Sequence, residues 1–248
     1  MKKNIKKRLI IVLVIASMLL LSGAAALLLY HGVIWFQYPS NYIYPVRGVD
    51  VSAYQGEIDW ETLSGEGIRF AFLKATEGST FVDKRFSYNW EHAHKTGLRV
   101  GAYHYLSFDS PGLTQAENYI SAVPQTEDML PPVVDLELYG KYVKVPPAQQ
   151  HTDKILGEFL AALEEAYGLR PIIYATHKTY DLYLKDGYRN YDIWIRNVLF
   201  YPYLSDGRQW NFWQYSNRGR LDGYDGEEKF IDLNVFHGTA EEFKAYGK

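Results

Sequence analysis

The chain has no cysteine among its 248 residues. Disulfides and thiolate chemistry are therefore closed to it, and its core must hold without covalent staples. It also lacks histidine pairs at metal-ligand spacing. His92 and His94 point to different faces of a helix. His104 alone falls on a candidate strand end, and a packed or hydrogen-bonded role is expected of it. No metal or organic cofactor is expected. A basic face is missing too. The formal net charge is −3, and setting aside the basic first eight residues makes the remainder more acidic. That argues against a nucleic-acid partner, whose phosphates need a basic surface. No internal repeat or low-complexity segment follows the leader.

One long stretch lacks charge altogether. Leu9 to Tyr30 is 22 residues without a charged side chain, and it follows Met1 to Arg8, where five of eight residues are Lys or Arg. About 20 apolar residues span a bilayer, and a basic flank keeps its own side in the cytoplasm. The expectation is a basic cytoplasmic leader (1–8), a transmembrane signal anchor (9–30), a linker (31–46) and an exported domain (47–248). Trp35, Phe36 and Tyr38 would form an interfacial belt. A cleaved signal peptide, cut at Ala24-Ala25-Ala26, is the second choice and would give a secreted protein.

What is abundant is aromatic: 22 Tyr, 12 Phe and 6 Trp. Exposed members of that set would suit carbohydrate, whose rings present apolar faces. From Arg47 onward, short apolar runs alternate with helical patterns. Strands are predicted at 47–51, 69–74, 99–105, 132–136, 172–175, 192–196, 212–215 and 231–235. Helices are predicted at 60–66, 85–96, 113–122, 147–167 and 180–184. Ile155, Phe159, Ala162 and Leu163 recur at helical spacing, and Gly168 suits a C-cap. Eight strands with crossovers point to a (β/α) barrel of the TIM-like type. The late crossovers are poor in helix, so the barrel should be irregular.

The strongest chemical signal is Val133-Val134-Asp135-Leu136-Glu137, entered through Pro131-Pro132. On a strand, Asp135 and Glu137 share one face, roughly 6–7 Å apart at the backbone. Glycosidic hydrolysis uses carboxylate pairs at about that separation. Two close acids also repel, which raises one pKa and keeps one group protonated. In a barrel, chemistry gathers at the C-terminal strand ends. Asp50, Lys74, Tyr103, Tyr105, Tyr174, Trp194, Gln214 and Asp232 fall near those ends. Asp50, Asp135, Glu137 and Asp232 would meet at one rim. Lys74 could instead be a salt-bridge partner for a rim acid. Trp194 and Trp213 could equally be core.

These residues fall into ordered motifs. Gly48-Val49-Asp50-Val51-Ser52-Ala53-Tyr54-Gln55-Gly56 opens the series, followed by Ile58-Asp59-Trp60. Phe70 to Gly78, Gly97 to Tyr105 and Val134-Asp135-Leu136-Glu137 come next. Pro171 to Tyr174, Trp213-Gln214-Tyr215 and Ile231-Asp232-Leu233-Asn234 complete it. The set resembles glycoside hydrolase family 25, the Chalaropsis-type lysozymes or N-acetylmuramidases, over nearly all of Arg47 to Gly238. The resemblance implies a flattened, irregular (β/α) barrel acting on peptidoglycan glycan strands. The bond cut would be the β-1,4 link from N-acetylmuramic acid to N-acetylglucosamine. Glu137 would be the general acid, and Asp135 would assist the substrate's 2-acetamido group. Asp50 and Asp232 would line the same acidic pit. Lys74, Tyr103, Tyr105, Tyr174, Trp194 and Gln214 would contact sugar.

The chain departs from the family pattern in two places. Tyr54 stands where Trp is common. Trp194-Ile195-Arg196-Asn197-Val198 replaces the frequent Trp-x-Ala-x-Tyr. Both put subsite preference in question. A monomer held at the bacterial membrane, with its catalytic domain outside the cytoplasm, is the expectation. The alternative is a non-catalytic, membrane-anchored peptidoglycan-binding module, against which the retention of both Asp135 and Glu137 argues.

Overall fold

The structure, a computed structural model, describes residues 2–248. It divides into an N-terminal unit ending at Phe36 and a larger unit, Gln37–Lys248. The first unit holds helix α1 (Lys2–Tyr30). From Asn4 to Tyr30 this helix is long and apolar enough to cross a membrane. Its Leu, Ala and Met residues favour helix, and from Asn4 on its side chains are exposed apart from half-buried Leu29.

The second unit is built on nine strands. These are β1 (Arg47–Val51), β2 (Phe70–Glu77), β3 (Phe81–Val82), β4 (Arg99–Tyr105), β5 (Val133–Leu136), β6 (Ile172–Thr176), β7 (Asp192–Arg196), β8 (Phe212–Gly219) and β9 (Ile231–Phe236). Eight of them close into a barrel, because β1 pairs with both β2 and β9, while β3 hangs on β2 as a short hairpin. Pairings from β1 through β2 and β4 to β8 are parallel. Strand β9 is antiparallel to both of its neighbours. This corrects one expectation. Asp232 comes beside Asp50 near the start of its strand, not at a C-terminal end.

Helices α2 (Trp60–Gly65), α3 (Phe86–His94), α4 (Gly112–Ala122) and α5 (Gln149–Tyr167) form the crossovers of the first half. The longest, α5, turns Ile155, Phe159 and Leu163 inward and ends on Gly168, whose φ of 64° suits the residue without a Cβ. After β6 there is only a three-residue helix, α6 (His177–Thr179), running into a wide turn at Tyr180–Leu184. A final short helix, α7 (Ala240–Ala245), lies past β9. Across β8 a ring cluster replaces a helix. Tyr44, Tyr201, Trp210, Trp213 and His237 meet there with centroids 4.8–6.2 Å apart. Tyr44 and Val46 are buried. Pro39, Tyr44 and Val46 thus anchor the stretch that leads into β1.

Two apolar clusters result. One fills the layer between strands and helices. The other fills the barrel, with Phe70, Phe72, Val133, Ile172, Phe212 and Phe236 among its members. The barrel interior has room for these rings because two strands give up a side chain. A Cβ at Gly48 would sit 2.5 Å from the Phe70 ring, and one at Gly101 would sit 2.7 Å from Phe72.

Candidate active site

Strand alternation converts that interior column into a site. On β2 the inward series runs Phe70, Phe72, Lys74. On β5 it runs Val133, Asp135, and continues to Glu137 just beyond the strand. On β7 it passes from Trp194 to Arg196, and on β8 from Phe212 to Gln214. Each series begins apolar and ends polar. A register shift between Lys74 and Thr76 marks a bulge in β2. Beyond it Thr76 faces outward and bonds His104 at 2.7 Å. The other nitrogen of His104 lies 3.0 Å from Gln115. Burial pushes the His104 pKa down to about 4. His104 is therefore the packed histidine that the sequence led us to expect.

The polar ends line a cavity of about 360 Å³. All ten sequence-predicted site residues border it: Asp50, Lys74, Tyr103, Tyr105, Asp135, Glu137, Tyr174, Trp194, Gln214 and Asp232. Asp50 and Asp232 are direct register partners across the β1–β9 seam. The Asp50 carboxylate accepts from Gln214 Nε2 at 2.9 Å and from Asn234 Nδ2 at 2.7 Å. Tyr174 donates to Gln214 at 3.0 Å, and Trp194 donates to Asn234 at 2.8 Å. Those two links tie the Asp50 cradle to β6 and β7. Trp194 forms the floor. One face stacks on Phe72 at 4.6 Å, and Tyr174 meets it edge-on. Trp213 points the other way, into the outer ring cluster.

Four carboxyl groups in a poorly hydrated cavity cannot all ionise freely. Burial, and then the charge of Glu137 and Asp50, hold Asp135 well above the ordinary carboxylate range. Burial and then Asp50 do the same to Asp232. Burial raises Asp50 to about 6 despite its two amide donors. Burial also raises Glu137, against which Arg196 and the Tyr174 hydroxyl act. One oxygen of Asp135, Oδ1, is buried with no hydrogen-bond partner among the described residues. A buried lone acceptor is costly, and a single N–H supplied by a ligand would satisfy it.

Lys74 is committed elsewhere. Its ammonium bonds Glu77 at 2.7 Å and lies over the rings of Phe81 and Tyr105, at 5.4 and 5.2 Å. Sequence reading missed Arg196, Asn217, Glu228 and Phe230, which also line the cavity. For Arg196 a signal was available. It sits two residues past Trp194, so strand alternation puts it on the same inward face.

A model of glycosyl hydrolases family 25 matches residues 49–224. YegX of Escherichia coli K12 is 36% identical over 208 residues, covering 82% of this chain and 74% of YegX. Lysozyme M1 of Streptomyces globisporus is 31% identical over 211 residues, covering 79% of this chain and 69% of that protein. Among solved structures, a family 25 glycosyl hydrolase from Bacillus anthracis superposes with a TM-score of 0.82 at 53% identity. That match covers 87% of this chain and 98% of the other.

Proposed function

Since the chain belongs to glycosyl hydrolase family 25 and is a glycoside hydrolase of the muramidase kind, we propose that it cuts the β-1,4 bond after N-acetylmuramic acid in peptidoglycan, with Glu137 as the acid. Burial raises the Glu137 pKa, which favours the protonated form that a general acid needs. Glu137 gives that proton to the glycosidic oxygen as the C1–O bond breaks. The carbonyl oxygen of the substrate's own 2-acetamido group attacks C1 from the opposite face. Asp135 accepts the acetamido N–H on Oδ1. The positive charge that develops on the ring so formed favours ionised Asp135. Water then opens the ring at C1 and returns its proton to Glu137, so the β configuration is retained. Asp50 and Asp232 shape the pit. Tyr103, Tyr105, Tyr174, Trp194, Gln214 and Lys74 are proposed to border the bound sugar.

The observation that carries this reading is the unpartnered Asp135 Oδ1, two residues before Glu137, whose pKa burial raises. The test is digestion of purified peptidoglycan, followed by mass analysis of the new reducing ends. Muramic acid ends are expected, and glucosamine ends would overturn the bond assignment. Proton NMR of the first product should show the β anomer. An initial α signal would instead make Asp50 or Asp232 the base of an inverting reaction.

Residues 9–30 are proposed to remain as a single-pass signal anchor, with the catalytic domain outside the cytoplasm. The long apolar helix behind a basic flank supports this. Fractionation with N-terminal sequencing tests it. A soluble mature protein beginning near Leu27 would show a cleaved signal instead.

A further inference from the structure

Five carboxyl groups line the cavity, Asp50, Asp135, Glu137, Glu228 and Asp232, against two cations, Lys74 and Arg196. The two cations differ in what they are free to do. Lys74 is paired with Glu77 and sandwiched by rings. Arg196 forms no side-chain hydrogen bond and no ion pair with any described residue, yet it sits close enough to lower the pKa of Asp50, Asp135, Glu137 and Asp232. It is half-buried at the end of β7, beside the cradle of Asp50 and Gln214. Its five N–H donors form a planar fork that matches a carboxylate or a carbonyl oxygen.

A ligand with an acidic substituent meets repulsion from the five acids of this pit, and the other cation, Lys74, is already paired with Glu77. The proposed substrate has one such substituent. Muramic acid differs from glucosamine by a lactyl ether on O3, adjacent to the C2 acetamido group. With the acetamido N–H on Asp135, the lactyl carboxyl is one ring carbon away and needs a donor. We propose that Arg196 is the specificity-determining residue of this enzyme, binding the lactyl carboxyl group of the muramic acid whose bond is cut. The free carboxylate, exposed when an amidase removes the stem peptide, takes the fork as a charge-assisted pair. Reactions that strip stem peptides would therefore supply the preferred substrate. The inference rests on the muramidase reading.

The test is a chemical cycle on one glycan. Amidase-treated glycan strands are divided, and half are treated with carbodiimide and borohydride. That treatment turns each lactyl carboxylate into an alcohol and leaves the glycosidic bonds intact. Wild type and Arg196→Met are assayed on both. Wild type should lose about tenfold or more in kcat/KM on the reduced strands, the size of one charge-assisted hydrogen bond. Arg196→Met should cut both strands at the same rate, and Arg196→Lys should recover part of the preference. A shift in the acids' pKa values moves both substrates together and cancels from the ratio. An undiminished carboxylate preference in Arg196→Met would overturn the proposal, as would the absence of any preference in wild type. If wild type cuts neither strand, the muramidase reading itself fails, and that outcome looks different from both.

Discussion

The lower and upper halves of the barrel interior are made by the same strands and follow opposite rules. Below, Phe70, Phe72, Phe212 and Phe236 meet ring to ring, with centroids 5.2–5.7 Å apart. Every contact there is dispersion and burial, and it stabilises the fold. Above, one or two residues further along each strand, Asp50, Asp135, Glu137 and Asp232 are desolvated against one another. That arrangement costs stability, and in the proposed reaction it supplies the acid. The difference teaches that reactivity here is a local loss carried by an apolar base a few ångströms away.

The comparison can be broken most sharply at its acidic end. Glu137→Gln keeps shape but has no proton of suitable acidity to give. Turnover should fall about 10²–10⁴-fold, while the melting temperature stays the same or rises. Retention of near wild-type digestion would remove Glu137 from its role. Asp135→Asn should follow with a loss of about 10²-fold in kcat, with binding of glycan strands largely kept. A larger loss in binding than in kcat would make Asp135 a sugar-holding group only.

At the apolar end the pattern should reverse. Phe72→Ala removes a ring that stacks on Trp194 and packs against Phe70 and Phe212. It should cost about 3–5 kcal/mol of stability by chemical denaturation. Whatever protein remains folded should keep most of its kcat. A Phe72→Ala variant as stable as wild type would show that the lower half does not carry the upper.

The smallest expected effect joins the two halves through pH. Asp50 has its pKa raised to about 6 in the fold, against an ordinary value near 4 when unfolded. A raised acid contributes stability fully present below the unfolded pKa and lost as pH rises through the folded one. Wild type should therefore lose stability relative to Asp50→Asn between pH 4 and 7. His104, pushed down to about 4, works in the opposite sense, with stability lost as pH falls from 6.5. The two proteins must accordingly be compared at each pH. A difference of about 5 °C in melting temperature between pH 5 and pH 8 is expected. A constant difference would mean that Asp50 ionises alike in both states.

Much of this was legible in the sequence, for a physical reason. Strand periodicity is local, so Val133-x-Asp135-x-Glu137 shows its facing without any partner strand. All eight barrel strands stand where apolar runs placed them, and the ten expected residues share one cavity. The direction of β9 was not legible, because Ile231–Phe236 reads the same in either sense. Asp232 still reached the rim, since reversal brings the start of that strand there. The two-residue strand β3 and the packing of residues 37–46 depend on distant partners and left no periodic trace. Alternation from Trp194 places Arg196 on the inward face, but a lone arginine at a strand end carries no chemical signature of its own.

The seam between β1 and β9 has a consequence in time. Asn234 holds Asp50 across 184 positions of sequence, and β9 follows the other eight strands in chain order. A nascent chain carries Asp135 and Glu137 long before it carries their surroundings. Until β9 arrives, Asp50 lacks its tightest donor, Asp232 is missing and the cavity has no closing wall. A chain that has not yet made β9 therefore carries these acids without the complete cavity that desolvates them.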